Sequence, residues 1–139
     1  MIRKILVPID VSADDPGKEA IALAKELAAG HYAKIALLTV RETVPGYVMS
    51  ELPSGFEEKI MADIAAKLKE IAAKNEIPDS AERLIRHGHP AQQILDTAKE
   101  IDADMIVIAS HDPGVADYFI GSVAARVVRH AHCSVLVVR

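Results

Sequence analysis

Gly121-Ser122 stands where a polar stretch gives way to an apolar-periodic segment, and it is the pair best suited to holding an anion. Glycine lets a phosphate approach the main chain, while the free amides of a helix's first turn, its dipole and a serine hydroxyl favour anionic oxygens. Arg41 ends a second apolar run, and its guanidinium is either a solvated charge or a fork reaching toward phosphate. Asp10 follows a first apolar run, where an aspartate commonly serves as a turn or capping residue. His111 lies in the polar loop Ser110 to Asp117 as a polar contact or a general base, but no nucleophile or orienting carboxylate is recognisable at a fixed spacing. The six histidines are scattered over different elements without a compact ligand pattern, so no metal centre is expected. The single cysteine, Cys133, reads as a structural thiol, because its neighbour His132 would point to the opposite face of a strand.

These residues are positioned by an alternation of strands and helices. Ile5–Ile9, Ile35–Val40, Met105–Ala109 and Val135–Val138 are continuous apolar runs rich in branched residues, as in parallel strands covered on both faces, and 81–87 is a weaker strand. Between them, Lys18–Ala29 carries Ala20, Ile21, Ala24, Leu27 and Ala28 at helical spacing, with Gly30 as C-cap. The longest helix follows Ser54, with Phe56, Ile60, Ile64, Leu68 and Ile71 facing inward. Two further helices are expected over 91–101, opened by Pro90, and 122–130, while Arg41 to Ser54 reads as a loop.

The order βαβαβαβαβ implies right-handed crossovers and one parallel sheet whose crevice opens beyond the carboxyl ends of strands one, two and four. The fold class expected is a single doubly wound, Rossmann-like α/β domain over 1–139, with a five-stranded parallel sheet and helices on both faces. Half of the residues are hydrophobic but only 4% are aromatic, so the core must be built from Ala, Val, Ile and Leu. A net charge of -4 with dispersed Lys and Arg gives no basic field for nucleic acid. No long apolar stretch suggests a signal or a membrane span, and a reducing cytoplasm fits one cysteine.

The opening Lys4-Ile5-Leu6-Val7-Pro8-Ile9-Asp10, the turn Gly88-His89-Pro90-Ala91, the segment Ala103–Ile108, the pair Gly121-Ser122 and the tail Val127–Arg139 together resemble the universal stress protein family over essentially the whole chain. That family's nucleotide-binding members carry Gly-x2-Gly-x9-Gly-Ser/Thr; here Ala109 and Asp112 occupy the first two glycine positions, and eight residues rather than nine separate Asp112 from Gly121. The variant is similar to the branch labelled F and G. The resemblance implies strand order 3-2-1-4-5 and a site for ATP, with Mg2+ held through phosphate oxygens. Pro8, Asp10 and Val40 would frame the adenosine, Asp10 accepting from a ribose hydroxyl, and Ala109 would let the ribose pack on the backbone. Ser110, His111, Gly121, Ser122 and Val123 would surround the phosphates, with Ser134 and Val135 near the site. It further implies a homodimer, or a tetramer of dimers, through the strand 135–138, and a stress-response role exerted by nucleotide-dependent conformation or partner binding. A dimeric interaction protein that has lost its nucleotide is the alternative, and a slow ATP hydrolase is a third, without a Gly-Lys-Ser/Thr loop or a base and metal pair to support it.

Overall fold

The computed structural model describes residues 1–13, 17–110 and 120–139. Its strands are β1 (Lys4–Pro8), β2 (Lys34–Arg41), β3 (Glu82–His87), β4 (Met105–Ala109) and β5 (Ser134–Val138). Its helices are α1 (Lys18–His31), α2 (Gly46–Met49), α3 (Phe56–Lys74), α4 (Pro90–Glu100) and α5 (Ser122–His130). The five strands form one parallel sheet in the order β3-β2-β1-β4-β5, as the resemblance implied.

Side chains alternate across a strand, so each apolar run feeds two cores. Ile5 and Val7 of β1, Leu37 of β2 and Val107 of β4 face Ala20, Ile21 and Ala24 of α1 and Leu68, Ile71 and Ala72 of α3. Leu6, Leu38, Ile106 and Ile108 face the other way, onto Ala91, Ile94, Leu95 and Ala98 of α4 and Ala124 and Val127 of α5. Every buried apolar residue among those described is Ala, Val, Ile or Leu, the composition that a chain so poor in aromatics requires.

Three local readings change. Gly30 does not end α1; the helix runs on to His31, and Tyr32 takes the left-handed conformation at φ 55°. The amides of Tyr32 and Ala33 both return to the Ala28 carbonyl, which closes the helix with the doubled hydrogen bonding normally built on glycine. The long helix begins not from Ser54 but from Gly55, whose φ of 83° provides the sharp entry. The stretch after β2 is not wholly a loop, because α2 forms one helical turn behind Pro45.

Asp104 fastens the sheet's amino edge. Its carboxylate accepts from the amides of Arg3 at 2.8 Å and Lys4 at 2.9 Å, and its own amide donates to the Lys4 carbonyl at 2.9 Å, joining the starts of β1 and β4. The two backbone donors, first Arg3 and then Lys4, hold the Asp104 carboxyl below the usual aspartate value. A depressed folded pKa contributes stability that is present above the unfolded pKa, about 4, and is lost as pH falls through the lower folded value. Asp104→Asn is therefore expected to be less stable than the wild type at pH 7, with the gap closing below about pH 4. Urea midpoints measured from pH 7 to pH 3 check this, and a gap independent of pH would contradict it.

Candidate nucleotide site

In a parallel sheet all strands deliver their carboxyl ends to one edge, and a helix that follows a strand starts at that edge. Pro8 ends β1 and Val40 lies one residue before the end of β2, with Pro8 opposite Leu38 in register. Ala109 ends β4, and the Ser110 amide continues the ladder by donating to the Val138 carbonyl at 2.8 Å. The start of α5 belongs to the same edge, and α5 packs on the face of the sheet that carries Leu6, Leu38 and Val40. By alternation Pro8, two residues beyond Leu6, also points to that face.

Among the described residues nothing caps the amino terminus of α5. Gly121 is its N-cap, with extended backbone at φ -55° and ψ 152° and no side-chain cap hydrogen bond. The Gly121 carbonyl accepts from the Ala125 amide at 2.9 Å, so the amides of Ser122, Val123 and Ala124, which precede the first closed turn, have no intrahelical acceptor. Ser122 is exposed and Val123 is half-buried against the α4–α5 core. Amides, dipole and hydroxyl therefore form a positive end without a fixed negative partner on α5 itself, whose first turn carries no acidic residue.

Asp10 is exposed just beyond β1. Its Oδ1 accepts from the Ser12 amide at 2.9 Å and the Ser12 hydroxyl at 2.5 Å, and its carbonyl accepts from the Ala13 amide at 3.1 Å, making a self-bonded turn. Its Oδ2 makes no hydrogen bond among the described residues. The turn therefore leaves one oxygen of the carboxylate to meet a donor from outside.

The structure does not bring all the expected residues together. β5 runs parallel to β4 with Ser134 opposite Met105 and Val138 opposite Ala109, so Ser134 and Val135 lie at the amino edge. Four residues of strand separate the two ends, about 13 Å, so their placement near the crevice is corrected. His111, with Asp112, lies outside the described residues. Arg41 is neither a solvated charge nor a free fork: its side chain is only 14% exposed and pairs with Glu57 of α3. The second Glu57 oxygen, Oε2, is shielded from solvent without a hydrogen-bond partner among the described residues.

At the opposite edge, Asp102, Ala103, Asp104, His132, Cys133 and Ser134 line an open groove of about 640 Å³, away from the strand ends just described. Burial pushes the Cys133 thiol above its usual pKa, and the charge of Asp104 adds to the rise. A thiol so placed is protonated at neutral pH and is a weak nucleophile, in keeping with a structural role.

A doubly wound sheet with an open helix terminus at its carboxyl edge defines a class of small α/β proteins in which ligands bind outside the strand ends. Within that class the model of the universal stress protein family matches residues 1–139, and the chain belongs to this family. It is 35% identical to a universal stress protein of Thermus aquaticus over 143 residues, covering all of both chains. It is 29% identical to universal stress protein G of Salmonella typhimurium over 146 residues, again covering all of both. Among solved structures, universal stress protein UspA from Lactobacillus plantarum shares 27% identity at a TM-score of 0.71, over 99% of this chain and 98% of that one. A universal stress protein in complex with cAMP shares the fold at 24% identity and a TM-score of 0.71, over 99% of this chain and 97% of that one.

Proposed function

We propose that this chain binds an adenine nucleotide, ATP with Mg2+, at the carboxyl edge of its sheet, and that occupancy alters its conformation or its surface for partners in a stress response. The observation that carries the reading is the start of α5 at Gly121-Ser122, uncapped among the described residues, on the same edge and the same face as Pro8 and Val40. Triphosphate oxygens would take the amides of Ser122 and Val123 and the Ser122 hydroxyl. The ribose would lie against Ala109 and Ser110 with a hydroxyl donating to Asp10, and the base would rest on Val40 and Pro8. His111 is assigned to the phosphate end as a polar contact rather than a base, and no catalytic role is proposed for it. That a universal stress protein of the same fold forms a complex with cAMP supports an adenine nucleotide as the ligand class. Mg2+ would be carried by the phosphates, since no group of three His, Cys, Asp or Glu side chains forms a cation site among the described residues.

The proposed assembly is a homodimer through β5, whose residues Val135 to Val138 are only half-buried in one chain although all four are apolar. An apolar edge strand of this kind is stabilised by pairing with a second copy. No described helix is long and apolar enough to cross a membrane. Titration calorimetry with ATP and Mg2+, on protein whose mass light scattering gives as twice the 15.0 kDa of one chain, tests both parts. Saturable heat at one nucleotide per chain is the expected result. A dimer with no heat of binding would overturn the nucleotide and leave a dimeric interaction protein.

A further inference from the structure

A second place on the carboxyl edge holds a different chemistry. Nε2 of His87, the last residue of β3, lies 3.3 Å from Sδ of Met61 in α3. We infer that Met61 and His87 form a binding site for a soft monovalent cation, cuprous copper, independent of the nucleotide site. Thioether sulfur and neutral imidazole are donors that copper(I) accepts and that magnesium or calcium does not. With metal–nitrogen and metal–sulfur bonds of about 2.0 and 2.3 Å, the lengths zinc makes to imidazole nitrogen and to thiolate sulfur, a 3.3 Å gap closes an angle of about 100° at the ion. That angle is near tetrahedral, and the ion would replace the direct imidazole–thioether contact, the ring turning to aim Nε2 at the metal.

The surroundings favour one positive charge over two. His87 stands opposite Arg41 in register, and Glu57, which pairs with Arg41, lies one helical turn before Met61 on the same side of α3. The neighbouring pair is neutral as a whole, so it supplies no net negative charge for a divalent ion. His87 is exposed, which leaves the remaining coordination positions to solvent or to a small exogenous ligand and gives the ion a way in. Met61 and His87 belong to regular elements, which fixes the separation of their backbones, and the flexible methionine side chain adjusts the sulfur to the ion.

Cys133 is the competing soft ligand in this chain and sits at the opposite edge, so the test removes it first. Anaerobic titration against the copper(I) complex of bicinchoninate is expected to show Cys133→Ser protein withdrawing one copper(I) per chain. Met61→Leu and His87→Gln, each added to Cys133→Ser, are expected to bind at least tenfold more weakly, with circular dichroism and unfolding midpoints of the parent. His132→Ala in the same background should bind as the parent does. Silver(I) added below one equivalent to the Cys133→Ser protein carrying ¹³C-methyl methionine should move the Met61 resonance before those of Met1, Met49 and Met105. Loss of copper withdrawal with Cys133→Ser alone, unchanged binding in both site variants, or a stationary Met61 methyl would each overturn the inference.

Discussion

Gly121→Asp is expected to weaken ATP binding by about a thousandfold while leaving the protein as stable as the wild type or a few tenths of a kcal/mol more stable. The two effects have opposite signs because they arise from the same amides. Backbone at φ -55° and ψ 152° is open to any residue, so the substitution is not strained. Aspartate is a better N-cap than glycine, and its carboxylate would accept from the amides of Val123 or Ala124. The Val123 amide is one of the donors assigned to phosphate, and the new charge would stand beside the bound anion. At ~4 Å and an effective dielectric near 20 the repulsion is roughly 4 kcal/mol, equivalent to about three decades in Kd. Gly121→Asn occupies the amides without the charge and should lose distinctly less. Ser134→Ala, at the far edge of the sheet, should lose nothing. Calorimetry for affinity and urea unfolding for stability check the pair of results. Undiminished affinity in Gly121→Asp would remove the α5 terminus from the site.

Elements built on local periodicity were open to reading from the chain. Met105–Ala109 and Ser122–His130 have the bounds that their apolar patterns suggest, because a continuous branched run and a 3.6-residue repeat each fit one structure and not the other. Helix ends were less legible. Tyr32 closes α1 where Gly30 seemed the better cap, since the stop is set by where Ala33 and β2 must join the sheet rather than by local preference. Of the residues proposed for the site, Gly121-Ser122 was legible as the start of a helical run, while the roles of Pro8, Asp10 and Val40 were implied by the resemblance alone. Ser134 and Val135 were implied near the site by the resemblance alone, and the direction of β5 puts them at the other edge.

Long-range pairings were invisible. Arg41 and Glu57 are 16 residues apart across a turn whose path no motif fixes, and Asp104 reaches amides about a hundred positions away. The Met61–His87 contact was hidden for a further reason. A search for metal ligands among histidines, cysteines and carboxylates passes over thioethers, and the register that brings β3 beside β2 is needed to see which turn of α3 covers His87.

The sheet's centre should couple to the site through mass action, and Ile106→Ala makes that coupling measurable. Ile106 is fully buried in β4, opposite Leu6 on one side and Val135 on the other, under α4 and α5. Removing its branched end leaves a cavity between layers that backbone hydrogen bonds hold apart, so a loss of about 2–5 kcal/mol is expected. For a domain of this size that is a large share of a total of about 5–15 kcal/mol, with a fall in Tm of the order of 10 °C. ATP binding to the folded state alone returns RT ln(1 + [L]/Kd), about 2.7 kcal/mol at a concentration a hundredfold above Kd. Saturating ATP should therefore restore half or more of the lost stability in Ile106→Ala and raise the wild type by the same free energy. In the Gly121→Asp variant the same ATP concentration should yield almost none of it. Thermal and urea unfolding of the three proteins with and without ATP and Mg2+ check the series. Equal stabilisation of Gly121→Asp and wild type would place the nucleotide elsewhere on the protein.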